Sequence, residues 1–186
     1  MPPRYEVGEN LVIASGQRRP YKNWEGLIRA LALVEEPVRP RLVITGAGPG
    51  EDPLAPVVDA CGLGDWVDLR GWVEADELAD LRSRARALAF PTLAEGFGLP
   101  VLEAMVIGLP VIASDLPVLR EVGGDAAVWF DPRDPASIAA ALRTVATDPD
   151  AMLRASQAGL TQAAGFSWRR VAEETLDVFR LALADH

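Results

Sequence analysis

The chain has 186 residues, 49% of them hydrophobic and 24% charged, with a formal net charge of −9 at pH 7. That length and apolar content suffice for one domain with a sizeable core, and the composition is far from low complexity. The acidic balance leaves no basic face to meet nucleic acid or a membrane surface.

The rare residue types narrow the chemistry. The only histidine, His186, is the last residue, which sets aside Ser-His-Asp triads, Cys-His pairs and histidine-based metal sites. Cys61 is the only cysteine, so an intrachain disulfide is ruled out, a reducing compartment fits, and a core position is expected for it. With neither a charged-then-apolar leader nor an uncharged apolar run of roughly eighteen residues, the expectation is a cytoplasmic chain without signal peptide or transmembrane span. Catalysis would fall to carboxylates and cations, and Lys22 is the only lysine among eighteen basic residues.

In chain order, Met1 to Asn10 is polar and aperiodic and is expected to be a loose lead-in. Leu11 to Ser15 is a short continuous apolar run, the pattern of a strand buried on both faces of a parallel sheet. Gly16 to Lys22 reads as the loop after it, and Asn23 as the N-cap of a helix with Trp24, Leu27, Ile28, Leu31 and Ala32 on one face. A second strand is expected over Arg41 to Thr45. The Gly46-Ala47-Gly48-Pro49-Gly50 stretch after it lacks the third glycine and the later acid of a dinucleotide fingerprint, so it reads as a tight turn. Asp52-Pro53 is expected to open a short helix reaching Gly62, and Trp66 to Leu69 to form a third strand with Gly71-Trp72-Val73 as its exit loop.

A helix over Asp76 to Arg84 leads to a fourth strand, Ala87 to Phe90. A fifth is expected over Pro110 to Ala113, a short helix around Leu119 to Val122, and a sixth strand over Ala126 to Phe130. Asp134-Pro135 and Asp148-Pro149 each look like an N-cap with a first-turn proline. Ser167 caps a last helix that carries Trp168, Val171, Ala172, Thr175, Leu176 and Phe179 on one stripe. Strands alternating with helices give βαβ units. The expected fold is therefore α/β and Rossmann-like, a mostly parallel six-stranded sheet with helices on both faces, whose ligands sit outside the carboxyl ends of the strands. No repeat or linker divides the chain, so one domain over residues 1–186 is expected.

The chemistry gathers at Pro91 to Met105, which reads as strand, glycine-bearing loop and helix start, with Leu99 and Pro100 opening the helix. Gly96 and Gly98 let backbone approach a ligand, and the unpaired N–H groups of the helix's first turn favour an anion. Two carboxylates frame the loop: Glu95 opens it, and Glu103 is expected in the first turn of the helix. Carboxylates beside a phosphate site suit hydroxyl donors, and hydroxyls with phosphates describe a nucleotide or sugar nucleotide.

The string Glu-Gly-Phe-Gly-Leu-Pro-Val-Leu-Glu-Ala-Met over 95–105, followed by Gly108-Leu109-Pro110-Val111-Ile112-Ala113-Ser114, resembles the signature of the family 4 retaining glycosyltransferases of the two-domain GT-B fold. The likeness covers nearly the whole chain but only the C-terminal, donor-binding half of that family. It implies that Glu103 accepts from the ribose hydroxyls, that Glu95 accepts from the donor sugar, and that Gly96, Phe97, Gly98 and Leu99 hold the pyrophosphate and sugar. The family's glycine, arginine and lysine after the first strand fall on Gly16, Arg18 and Lys22. Gln17 occupies the place directly after Gly16 where many members carry arginine, which makes Arg18 the substitute and Arg19 the outsider. Such cations would stabilise charge on the departing diphosphate.

Trp72 and Val73 resemble the loop that borders the nucleotide base, with a buried strand-end tryptophan as the alternative. The resemblance further implies a hexosyltransferase that needs no cofactor and no metal, a UDP- or GDP-sugar substrate, and a missing N-terminal acceptor domain as partner. The terminal helix, 166–186, either packs on its own sheet or reaches across to that domain. Two other functions stay open: a non-catalytic nucleotide-sugar-binding or assembly module, and a glycoside hydrolase using Glu95 and Glu103.

Overall fold

In the computed structural model, which describes residues 8–184, the chain forms six parallel strands in the order β3-β2-β1-β4-β5-β6. Their ranges are β1 Leu11–Ser15, β2 Arg41–Ala47, β3 Val67–Gly71, β4 Ala87–Phe90, β5 Val111–Ser114 and β6 Val128–Phe130. The helices are α1 Trp24–Ala32, α2 Ala55–Ala60, α3 Ala75–Arg84, α4 Leu99–Val106, α5 Pro117–Gly123, α6 Pro135–Thr147, α7 Pro149–Ala163 and α8 Trp168–Ala184. The expected lead-in falls largely on residues 1–7, and His186 likewise lies outside the described residues.

The strands read as unbroken apolar runs because both faces of the sheet are covered. Successive side chains alternate between two cores. Val12, Ala14, Leu42, Ile44, Ala87, Ala89 and Ile112 face one way, onto Trp24, Leu27 and Leu31 of α1, Val57 and Val58 of α2, and Ile138 and Leu142 of α6. Leu11, Ile13, Val43, Leu88, Phe90, Val111 and Ala113 face the other, onto Leu81 of α3, Val101, Ala104 and Met105 of α4, and Leu119 and Val122 of α5. Cys61 is half-buried at the edge of the first core.

Several local expectations change. β2 runs two residues further, to Ala47, and β3 includes Gly71, so the exit loop begins at Trp72. α2 starts at Ala55, because the Asp52 carboxylate accepts from the Leu54 amide and so closes a turn ahead of the helix. Asn23 sits at the N-cap of α1, but in the left-handed region at φ 57 and with no side-chain cap; its Nδ2 donates instead to the Pro132 carbonyl, 2.9 Å away. The aspartate caps hold: Asp134 accepts from the Ala136 amide and Asp148 from the Ala151 amide. The Ser167 hydroxyl accepts from the Arg170 amide at the start of α8.

The strand order places the site. The chain winds outward from β1 through β2 to β3, then returns to lay β4 on the other side of β1. The loops after β1 and β4 therefore leave the sheet side by side and in opposite winding directions, which is where such folds open a ligand crevice.

Candidate functional site

Backbone staples fix the two loops against each other. After β1 the chain makes a single 3-10 turn over Pro20–Lys22. The Tyr21 carbonyl of that turn accepts from the Leu93 amide at 2.7 Å, and the buried Thr92 hydroxyl bridges the Tyr21 and Ala94 carbonyls at 3.2 and 2.7 Å. This carries Lys22 to the loop after β4. Its Nζ donates to Glu95 Oε2 at 2.6 Å, and the two side chains are only 14% and 19% exposed. The ammonium also lies 4.9 Å from the centre of the Phe90 ring and 5.2 Å from that of Tyr21, both within cation–π range. A carboxylate and two aromatic faces thus hold the chain's only lysine at the switch point of the sheet.

The glycine loop follows. Glu95 Oε1 accepts from the Gly96 amide at 3.2 Å. A side chain at Gly96 would project into open space, so nothing in the protein crowds the loop there. Gly98 is different: its φ of 100 is left-handed, and a Cβ would come 2.5 Å from Leu119, so only glycine turns the chain into α4 at this spacing. Among the described residues the amides of Phe97, Gly98 and Leu99 have no protein acceptor, and they lead into the positive end of α4, whose first residue is Leu99. Phe97 packs edge-on against Phe166, with ring centroids 6.2 Å apart.

Glu103 is one turn further in than expected: it is the fifth residue of α4, and the first turn holds no acid. Its Oε2 accepts from Arg82 of α3 at 2.8 Å, while Oε1 has no protein donor among the described residues. The Glu103 side chain is 53% exposed and forms part of the wall of a cavity of about 490 Å³, together with Phe97, Leu99, Leu102, Phe166 and Trp168. Trp72 stands 80% exposed past the end of β3, which removes the buried alternative for it, and Val73 is half-buried.

Arg18 takes a place the sequence did not indicate. Its side chain is 6% exposed and bound to Asp52, with Nη2 to Oδ2 at 2.8 Å. Its remaining donors go to the carbonyls of Gly16, Ile44, Thr45 and Arg70, so it ties together the carboxyl ends of β1, β2 and β3. Asp52, 34 residues away, carries no motif that would announce this partnership. Arg19 is exposed on the same loop, its Nε donating to Gln17 Oε1 at 3.2 Å. On the loop after β5, a hydrogen bond from Arg120 holds the Asp115 carboxyl below its usual range.

The arrangement as a whole offers one shielded cation, three free amides and one carboxylate where the loops after β1 and β4 meet, with a second carboxylate on α4. Among the described residues no cluster of His, Cys, Asp or Glu has the spacing of a metal site, and no helix is long and apolar enough to cross a membrane.

Comparison with known proteins identifies the family and the fold. The family model of the glycosyl transferases group 1 matches residues 3–162. The O-antigen chain mannosyltransferase B of Escherichia coli is 36% identical over 169 residues, covering 89% of this chain and 44% of that protein. The D-inositol 3-phosphate glycosyltransferase of Kineococcus radiotolerans is 34% identical over 190 residues, covering 91% and 44%. Among solved structures, sucrose-phosphate synthase from Thermosynechococcus elongatus superposes with a TM-score of 0.83 at 25% identity, over 98% of this chain and 47% of that one. The chain therefore spans less than half the length of these relatives. It belongs to the glycosyl transferases group 1 family and has the fold of the C-terminal domain of a GT-B glycosyltransferase.

Proposed function

We propose that this chain is the donor half of a retaining glycosyltransferase, which binds a nucleoside diphosphate hexose such as a UDP- or GDP-sugar and presents it to an acceptor held by an N-terminal domain. The observation that carries this reading is the Lys22–Glu95 pair at the switch point, beside three amides with no protein acceptor. The ammonium and the amides match a diphosphate, and the two carboxylates match the hydroxyls on either side of it.

In use, the pair opens. Lys22 moves from Glu95 onto the diphosphate and meets the charge that grows on it as the glycosidic bond breaks. Glu95, released, accepts from a hydroxyl of the donor sugar; Glu103 accepts from the ribose, and Trp72 with Val73 borders the base. Phe97, Gly98 and Leu99 supply the amides and Gly16 the turn under the diphosphate. Arg18 serves by fixing the strand ends from which the loop springs, and Arg19 is the cation of that loop left to share the phosphate charge. The names of the relatives, a mannosyltransferase and an inositol phosphate glycosyltransferase, support a hexose donor and a hydroxyl acceptor. The hydrolase alternative lacks such support, since both carboxylates are ion-paired and the family is one of transferases.

The test is a thermal shift panel of UDP-glucose, UDP-N-acetylglucosamine, GDP-mannose and ADP-glucose. At a hundredfold excess over Kd a true donor stabilises by about 2.7 kcal/mol, or roughly 5–10 °C in Tm for a chain of this size. No shift with any of the four at millimolar concentration would overturn the reading.

A further inference from the structure

Glu103 is half-exposed at a point where its carboxylate has work to do, and an exposed glutamate left alone samples several rotamers. One contact removes that freedom. Arg82, in the last turn of α3, donates through Nη2 to Glu103 Oε2 at 2.8 Å, in the one side-chain hydrogen bond between α3 and α4 among the described residues. The arginine side chain is only 16% exposed, and its Nε is buried with no hydrogen-bond partner. A buried donor left unpaired is a standing cost, so this guanidinium is held for what its other end does. That end fixes the carboxylate while occupying one acceptor site of Oε2, which leaves Oε1 and the second lone pair of Oε2 for a vicinal diol. The carboxylate also forms part of the wall of the cavity between α4 and α8 and has no other protein partner.

We propose that Arg82 is a positioning residue for donor recognition: by holding one oxygen of Glu103 it presents the carboxylate, already oriented, to the two ribose hydroxyls of the nucleotide. This rests on the donor-binding reading above. It adds that ribose selectivity is set from α3, outside the glycine loop. Loss of Arg82 should leave the diphosphate contacts intact and remove the preference for ribose.

The experiment measures Kd by calorimetry for UDP and 2′-deoxy-UDP, and for GDP and 2′-deoxy-GDP, on the full chain and on Glu103→Gln, Arg82→Met and Arg82→Lys, with Arg82→Gln in reserve should the methionine variant fail to melt cooperatively. The intact chain is expected to favour the ribonucleotide by about tenfold or more, as befits a charged hydrogen bond to a hydroxyl. Arg82→Met should bring that ratio to within about twofold of unity while the deoxynucleotide affinity stays within about twofold. Arg82→Lys should recover part of the preference, because a point charge attracts the carboxylate without the guanidinium's fixed fork. A ratio unchanged in Arg82→Met, or equal weakening of both nucleotides, overturns the positioning role while leaving Glu103 on the ribose. No ribose preference in the intact chain, or one that survives in Glu103→Gln, takes down the ribose assignment and this proposal with it.

Discussion

Lys22 and Glu95 neutralise each other across 2.6 Å with both side chains largely buried, so a ligand that draws Lys22 away must offer at least as much negative charge. A diphosphate does; a nucleoside does not. Lys22→Ala is therefore expected to weaken nucleoside diphosphate binding about tenfold or more and nucleoside binding little, with added salt reproducing part of the loss by screening. Calorimetry with both ligands checks this, and equal losses would make Lys22 structural. Arg18 calls for the opposite result. Its guanidinium satisfies a largely buried Asp52 and carbonyls at the ends of three strands, so Arg18→Ala strands an uncompensated charge and should cost about 3 kcal/mol, or roughly 6–12 °C in Tm. A melting curve within about 2 °C of the parent would contradict that role. The sequence marked Lys22 because it is the only lysine, and the glycine loop because its spacing is local. It could not place Arg18, since adjacent arginines look alike until the fold brings a distant aspartate to one of them. Arg82 was missed for the same reason: its partner is 21 residues away on another helix.

Strands and helices were legible wherever burial dictates pattern. Ala87 to Phe90 is one such case, since a four-residue apolar run between turn signals has few other uses in a βαβ chain. Boundaries set by side chains were less so. Asp52 was expected to cap a helix and instead closes a turn while holding Arg18. The last helix left two outcomes open, and its described stripe is exposed: Trp168 at 77%, Val171 at 49%, Leu176 at 51% and Phe179 at 59%. That stripe is apolar on one side, and its charges form pairs along the helix, Arg169 with Glu173 and Arg170 with Glu174. An amphipathic helix in this state adds little to the stability of its own domain. Phe179→Ser should leave the Tm of this chain within about 2 °C, because the ring loses little burial. The same change should weaken association with an N-terminal acceptor half, a difference that sedimentation of the mixed halves would resolve. A large drop in Tm would mean that the helix packs on its own sheet.

At the scale of the molecule, the six strands of the described residues all lie in one sheet, and the chain covers less than half the length of the mannosyltransferase, the inositol phosphate glycosyltransferase and the sucrose-phosphate synthase. Transfer needs an acceptor hydroxyl held against the anomeric carbon in a cleft that excludes water, and that positioning supplies a large share of the rate. A donor half provides one wall of such a cleft. It is expected to bind a sugar nucleotide without turning it over. The decisive measurement is acceptor-dependent release of nucleoside diphosphate, assayed with this chain alone, with an N-terminal half from a group 1 relative fused ahead of it, and with the same fusion carrying Lys22→Ala. The donor-half reading predicts release from the fusion only, lost in the lysine variant. Turnover by the isolated chain at ordinary enzymatic rates, abolished by Lys22→Ala, would contradict it.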